Sequence, residues 1–310
     1  MQRETFDRRA FPTGAALSRW AAPDGWSYRR MDWPKRGKAR GSLLFAGGRG
    51  DFIEKYLEAC AWWHGRGWNV TSFDWRGQGD SRGPSGTAGP DDLDLMVDDL
   101  EALIAEWKAR TPGPHVVVAH SMGGHLLLRT LAERKPEIDA AVLIAPMLMI
   151  NSAPLPSVAA WGVSSFLSMV GLGSQPVWQQ GRRPAPVGTS RQTILTASPE
   201  RYEDELWWWK KHPGYNLGVP SWGWLDRAYR SCAALTPERL ATVKLPILLI
   251  GSERDRLVSA AAIRRAAAQL PDSELLMFDD SGHEILREAD EVRLAALERI
   301  DSFLEERLAR

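Results

Sequence analysis

Residues 116–130 read VVVAHSMGGHLLLRT, and this stretch joins a strand-forming run to a helix-forming one. The β-branched valines predict a buried strand, and the leucine-rich continuation predicts a helix. Ser121 stands in the sharp turn between them, which is the setting of a catalytic nucleophile. Such a turn is strained and needs small residues two positions before and after the serine. Gly123 meets this requirement. Ala119 departs from it slightly, because alanine is larger than glycine by one methyl group. The alternative is that Ser121 only caps the helix.

Two loops late in the sequence contain partners for this serine. The predicted strand 246–251 is followed by SERDRLV, which contains Asp255, and the predicted strand 274–278 is followed by DDSGHE, which contains His283. Loops beyond the carboxyl ends of parallel strands are where such sheets place function. The chain order of serine, acid and histidine therefore predicts a triad of Ser121, Asp255 and His283. Glu253 is a rival for the acid, and an ordinary loop carboxylate is the alternative for Asp255. The other five histidines lack this setting.

Strand and helix patterns alternate along most of the chain. The predicted strands are residues 41–48, 69–75, 115–119, 140–145, 246–251 and 274–278, and the predicted helices are residues 51–65, 91–110, 122–133 and 259–270, with a last helix within 284–308. This alternation predicts an α/β fold with a mostly parallel sheet that helices cover on both faces. The glycine-rich residues 76–90 match neither a P-loop nor a dinucleotide fingerprint, so they predict a structural turn.

The alternation stops in the middle of the chain. Residues 147–240 lack strand patterns, are rich in Pro, Gly and Ser, and hold seven of the fifteen tryptophans. The segment is too long for a plain loop and too apolar for a disordered one. We expect an inserted helical cap at 147–240 and a core formed by residues 1–146 and 241–310. The apolar run 155–173 can line a pocket, touch a lipid surface or simply cover the core.

Composition narrows the classes of function. Of 310 residues, 39 are Lys or Arg and 39 are Asp or Glu, so the formal net charge is zero and nucleic acid is not an expected partner. Cys60 and Cys232 have no metal-ligand spacing and predict free thiols in the cytoplasm, with no metal. The longest apolar run, residues 140–150, is about half the length needed to span a bilayer, and the first twenty residues lack a signal-peptide core.

Four quoted motifs carry a resemblance to a known family. They are FDWRGQGDSRG at 73–83, AHSMGG at 119–124, ERDRLVS at 253–259 and GHEIL at 282–286. With them the chain resembles the α/β-hydrolase superfamily, in particular its monoacylglycerol lipase and bacterial lysophospholipase branch (serine aminopeptidase S33 type). The resemblance implies an α/β-hydrolase fold with an inserted cap, no cofactor, and a triad of Ser121, Asp255 and His283.

The resemblance also implies the oxyanion hole. One backbone N–H comes from Met122, the residue after the nucleophile, and the second comes from the loop after an early strand. Alignment with the family assigns the second amide to Arg49, in the sequence GGRGD. Gly47 stands where the family has a histidine, so the support of this loop is expected to differ. The Arg49 side chain is either a contact for a substrate phosphate or simply solvated.

The implied activity is hydrolysis of the ester of a single-chain acyl lipid, either a lysophospholipid or a monoacylglycerol, through an acyl-enzyme. The alternatives are a short-chain carboxylesterase, a thioesterase, an aminopeptidase of the same fold, or a catalytically silent binding protein. The expected partners are a small acyl-ester or lipid substrate and, through the apolar cap, transient contact with a membrane surface. The expected location is cytoplasmic or peripheral to the membrane.

Overall fold

A computed structural model describes residues 6–83, 92–178 and 185–309, and within them eight strands form one sheet. The strands are β1 (Ala16–Ala21), β2 (Ser27–Trp33), β3 (Gly41–Ala46), β4 (Trp68–Phe73), β5 (His115–His120), β6 (Ala140–Ile144), β7 (Ile247–Ser252) and β8 (Ser273–Phe278). Their order in the sheet is β1-β2-β4-β3-β5-β6-β7-β8. The strands from β4 to β8 pair in parallel, whereas β2 is antiparallel to both of its neighbours.

The connections between parallel strands are helical. The helices are α1 (Leu57–Gly65), α2 (Leu93–Arg110), α3 (Met122–Glu133), α4 (Ser157–Leu167), α5 (Ser190–Leu195), α6 (Pro199–Lys211), α7 (Trp222–Ala234), α8 (Pro237–Leu240), α9 (Ala260–Gln269) and α10 (Asp290–Leu308). Every residue of β3, β6 and β7 is buried, as expected for strands covered on both faces. The predicted α/β class is confirmed. Asp91 and the second half of the predicted glycine-rich turn, residues 84–90, lie outside the described residues.

The sequence analysis missed β1 and β2. Their sequences, ALSRWA and SYRRMDW, contain arginines that do not suggest buried strands. Arg29 and Arg30 are nevertheless buried on β2, because each is paired with carboxylates. Arg29 contacts Glu54 and Asp74, which are far from it in sequence. Burial of a charge is tolerated when it is paired and hydrogen-bonded, and such distant pairing is not visible in a local pattern.

The described part of the chain between β6 and β7 forms helices α4 to α8 and contributes no strand to the sheet. This inserted segment, residues 145–246, contacts the loop after β8 directly. The backbone N–H groups of His283 and Glu284 donate to the carbonyl oxygens of Ile194 and Leu195, at 3.0 and 2.8 Å. The inserted segment therefore lies at the end of the sheet where the predicted site residues are found.

Candidate active site

Ser121 lies in a strained turn between β5 and α3. Its backbone angles are φ 52° and ψ −117°, and a positive φ is uncommon for a residue with a side chain. The neighbourhood has no room for a larger residue at Gly123, where a Cβ would lie 2.3 Å from the carbonyl oxygen of Gly47. The Ser121 side chain makes no capping hydrogen bond to α3. Ser121 thus stands at the N-terminal end of α3, but its hydroxyl does not cap the helix.

The structure brings Ser121, His283 and Asp255 into one chain of hydrogen-bonding distances. His283 Nε2 lies 2.8 Å from Ser121 Oγ, and His283 Nδ1 lies 2.7 Å from Asp255 Oδ2. The other oxygen of Asp255 accepts from the backbone N–H groups of Leu257 and Val258, at 2.8 and 3.0 Å. These bonds fix the carboxylate and orient the imidazole toward the serine. This is the geometry in which a histidine can accept a serine proton.

Electrostatics in the site favour a charged pair. Burial alone would raise the pKa of Asp255, but the adjacent His283 and the backbone N–H groups hold it below its ordinary value. Burial alone would lower the pKa of His283, but Asp255, with smaller contributions from Glu284 and Asp51, raises it above its ordinary value. The surroundings therefore stabilise the imidazolium that forms when the serine loses its proton.

Glu253, the rival acid, points elsewhere. Its carboxylate forms an ion pair with Arg264 on α9, and its backbone N–H donates to the carbonyl of Phe278. Asp255 is buried with a side-chain exposure of 0%, whereas the side chain of Glu253 is 34% exposed. The geometry thus assigns the contact with the imidazole to Asp255 and leaves Glu253 a surface salt bridge.

The loop of residues 47–51, which we call the oxyanion loop after its predicted role, lies against Ser121. A Cβ on Gly48 would be 2.9 Å from the Cβ of Ser121, so the backbone of the loop approaches the serine closely. Arg49 and Met122, whose amides were predicted as oxyanion donors, line the same cavity as Ser121 and His283. Their role as donors stays a prediction. The Arg49 side chain donates to the carbonyl oxygens of Gly218 and Val219 and lies over Trp224, so it tethers this loop to the inserted segment.

Behind the oxyanion loop lies a buried ionic network that the sequence analysis did not find. Lys55 Nζ lies 2.8 Å from Asp51, 2.5 Å from Glu284 and 3.5 Å from Glu205 of α6. Arg287 contacts both glutamates. The only sequence signal was the spacing of four residues between Asp51 and Lys55, and the other members come from separate elements. Burial opposes each charge, yet the pKa of Glu284 is lowered to about 2 by Lys55 and Arg287.

Ser121 and His283 face a cavity of about 810 Å³ between the sheet and the inserted segment. Most of its lining is apolar and aromatic, which is typical of a pocket for a hydrophobic ligand. From the inserted segment this lining includes Leu155, Ala160, Val163, Trp178, Ile194, Trp209, Leu217, Trp222, Trp224 and Leu225. One member of the tryptophan triplet at 207–209 thus faces the cavity. Leu155 and the α4 residues Ala160 and Val163 also line this cavity. This agrees with one of the alternatives given for the apolar run 155–173, namely that it lines a pocket.

Within the ranges 6–83, 92–178 and 185–309, no cluster of His, Cys, Asp or Glu is arranged to hold a metal ion. Cys60 and Cys232 are both buried free thiols, and burial raises the pKa of each to about 12, so neither is a reactive thiolate. None of the helices in the described part of the chain is long and apolar enough to cross a membrane.

The sheet has eight mostly parallel strands, Ser121 lies at a strand-to-helix turn, and an acid and a histidine follow two later strands. These features define an α/β-hydrolase. The chain belongs to the family described as serine aminopeptidase, S33, whose sequence profile matches residues 37–290.

Relatives and solved structures agree with this family. The probable lysophospholipase L2 of Haemophilus influenzae is 24% identical over 216 residues, which cover 69% of this chain and 67% of the relative. Lysophospholipase L2 of Escherichia coli is 28% identical over 228 residues, 67% of this chain and 62% of that protein. A soluble variant of monoglyceride lipase from Saccharomyces cerevisiae, solved with a substrate analogue, has a TM-score of 0.75 at 17% identity and covers 98% of this chain and 100% of that one. A carboxyl esterase from Bacillus coagulans has a TM-score of 0.74 at 18% identity, covering 96% and 99%. At these identities the solved structures establish the fold alone.

Proposed function

We propose that this protein is a serine hydrolase that cleaves the carboxylic ester of a single-chain acyl lipid, a monoacylglycerol or a lysophospholipid. The observation that carries the proposal is the hydrogen-bond chain from Asp255 through His283 to Ser121, which ends in an apolar cavity of about 810 Å³. The relatives named lysophospholipase L2 support the same substrate class. Since the alignments span 62% to 67% of those relatives, their activity supports the proposal only as an analogy.

The proposed reaction has two halves. Ser121 Oγ attacks the ester carbonyl while His283 Nε2 takes the serine proton, and the Met122 and Arg49 amides stabilise the oxyanion. The intermediate then collapses: the bond to the alcohol breaks, and His283 gives its proton to the departing oxygen. Water attacks the acyl-enzyme with His283 again as base, and the fatty acid leaves as Ser121 regains its proton. Asp255 keeps the imidazole oriented and stabilises its charged form.

The charges around the cavity favour an ester over a substrate with a free amino group. An aminopeptidase needs an unpaired carboxylate for the ammonium of its substrate. The acidic residues of the described lining are Asp51, Glu205 and Glu284. Each of them is paired with Lys55, and the two glutamates are further paired with Arg287. These pairs support the ester hydrolase against the aminopeptidase alternative.

We further propose that the inserted segment is a cap that contacts a lipid surface. Helix α4 and the turn that follows it contain no charged residue and expose several large apolar side chains, including Val158 at 79%, Met169 at 77% and Phe166 at 57%. The same helix also lines the cavity through Ala160 and Val163. An exposed apolar patch next to a lipid pocket suits transfer of a single-chain lipid from a membrane.

The test is hydrolysis by Ser121→Ala on a panel of monoacylglycerols, lysophospholipids and p-nitrophenyl esters, with Ser42→Ala as the control. Ser42 is also buried, but its hydroxyl donates to the carbonyl of Pro112, away from the site. Loss of a triad serine costs on the order of 10⁶ in turnover. We expect that loss for Ser121→Ala, together with loss of labelling by a fluorophosphonate probe. Activity within about tenfold of wild type would overturn the proposal.

A further inference from the structure

The Asp51 carboxylate holds the oxyanion loop to the end of strand β5. Asp51 Oδ2 accepts from the backbone N–H of Gly48 at 2.6 Å and lies 2.9 Å from Nδ1 of His120. The same Nδ1 lies 2.9 Å from the Tyr56 hydroxyl, and Nε2 of His120 lies 3.3 Å from the backbone carbonyl oxygen of His283. Asp51 therefore bridges the residue before Ser121 and the residue before Arg49.

A lysine fixes this carboxylate from its other side. Asp51 Oδ1 lies 2.8 Å from Lys55 Nζ, which also contacts Glu284, the residue after His283. Burial alone would raise the pKa of Asp51, but Lys55 and His120 hold it well below its ordinary value, so the carboxylate stays charged. One buried lysine thus joins the oxyanion loop to the loop that contains His283.

Two further side chains hold the same loop. Gln78 Oε1 accepts from the backbone N–H of Gly50 at 2.5 Å, and Trp75 Nε1 donates to the carbonyl oxygen of Gly47 at 2.7 Å. The amides on both sides of Arg49 are therefore bound to side chains. Gly47 occupies the position where the family pattern has a histidine, and here the loop is supported by side chains from within it and from the segment after β4.

We propose that Asp51 is a positioning residue that sets the oxyanion loop, and with it the amide of Arg49, against Ser121. Asp51 acts through the N–H of Gly48 and through His120, and both of its carboxylate oxygens are engaged by these groups and by Lys55. The inference rests on the proposed function, because an oxyanion arises only if Ser121 attacks a carbonyl. A loop that is displaced from the serine would weaken binding of the transition state and leave binding of the acyl chain intact.

The size of the effect follows from the donor that the loop carries. Loss of one oxyanion donor lowers kcat by about 10²–10³. We expect Asp51→Ala to lower kcat by about 10²-fold, because it removes both the acceptor for Gly48 and the partner of Lys55. We expect Asp51→Asn to lower it by about tenfold, because the amide oxygen still accepts from Gly48 while the ion pair is lost. KM for a soluble medium-chain ester should change by less than about threefold in both variants.

The experiment measures kcat, KM and inhibition for wild type, Asp51→Ala, Asp51→Asn and the control Asp99→Asn. Asp99 is also buried, with bonds to Tyr28 and Arg76 that lie outside the site. The inhibitors are an alkyl trifluoromethyl ketone, which forms an oxyanion with Ser121, and the alkyl alcohol of equal chain length, which does not. The ratio of the two inhibition constants measures how well the oxyanion hole stabilises the oxyanion. A general loss of protein stability does not change this ratio.

We expect the Asp51 variants to lose affinity for the ketone in proportion to kcat and to retain affinity for the alcohol. Asp99→Asn should keep its affinity for the ketone and for the alcohol, even if its melting temperature is lower. If Asp51→Ala does not fold, the ratio in Asp51→Asn decides. Ratios and kcat values equal to those of Asp99→Asn would overturn the inference and leave the proposed function standing. A wild-type protein that neither cleaves the ester nor binds the ketone would instead overturn the proposed function itself.

Discussion

A Cβ atom on Gly123 would lie 2.3 Å from the carbonyl oxygen of Gly47, so the turn after Ser121 and the start of the oxyanion loop are packed backbone against backbone. No side chain separates these two segments. Any group added at Gly123 must move the loop or the serine, because the atom that it meets belongs to the main chain. The relative position of Ser121 and the loop thus depends on the absence of a side chain at Gly123.

Gly123→Ala is therefore expected to damage both stability and activity. Overpacking of this kind costs about 1–3 kcal/mol of unfolding free energy, and a shifted loop should lower kcat by at least about tenfold. Gly162→Ala on α4 is the matched control, since a Cβ there meets nothing within 4 Å and should be neutral or stabilising. Thermal melting and kcat of the two variants give the comparison. Equal stabilities and equal rates would show that the contact is easily relieved.

The fold and the proximity of Ser121, Asp255 and His283 were predictable because their signals are local. A valine run before Ser121, glycines after it, and loops containing Asp255 and His283 directly after strand patterns can all be read from the sequence. The ionic network around Lys55 could not be predicted, because Asp51, Glu205 and Glu284 come from three elements that only the tertiary structure brings together. The tether between Arg49 and the inserted segment escaped prediction for the same reason.

Asp255→Asn and Glu253→Gln should differ sharply in their effect on turnover. Asp255 contacts the imidazole of His283. In a serine protease, replacing the corresponding aspartate by asparagine lowers kcat by about 10⁴, because the imidazole then adopts the wrong tautomer. We expect a loss of the same order for Asp255→Asn. Glu253 pairs with Arg264 at the surface, where a salt bridge contributes about 0–1 kcal/mol, so its amide should retain most of the activity. Single-turnover rates with a p-nitrophenyl ester measure both. A larger loss for Glu253→Gln would transfer the role of the acid to that residue.

The pH profile should be shifted upward on its acidic side. His283 works as a base only when it is neutral, so kcat/KM falls as the pH drops through the pKa of this imidazole. Asp255 and Glu284 raise that pKa above its ordinary value, although burial opposes them. The midpoint of the acidic limb is therefore expected above about 6.5. NMR titration of the imidazole in Ser121→Ala should give the same midpoint, and a value below about 6 by both methods would contradict the charge arrangement.

Contact with a lipid surface should depend on the apolar face of the inserted segment. The double variant Val158→Lys, Met169→Lys is expected to lose binding to phosphatidylcholine vesicles and to slow hydrolysis of monoacylglycerol carried in them. Its rate on a soluble ester should stay near wild type, because Val158 and Met169 do not line the cavity. Leu17→Lys on β1 is the control, since that leucine is 50% exposed on the edge strand of the sheet. Co-sedimentation measures binding, and equal behaviour of the two variants would rule out this docking face.

Specificity for chain length should follow from the cavity beside Ser121. Its apolar lining removes acyl methylenes from water, and each is worth at most roughly 0.8 kcal/mol, so kcat/KM should rise from acetate toward medium and long chains. Ala160→Phe on α4 would fill part of this space and should lower kcat/KM for long chains while sparing short ones. Val158→Phe, two residues away and 79% exposed, is the control and should leave the profile unchanged. The measurement is kcat/KM for C2 to C16 monoesters below their critical micelle concentrations. A wild-type profile that peaks at C2 and falls with length would replace the lipase assignment with the short-chain carboxylesterase.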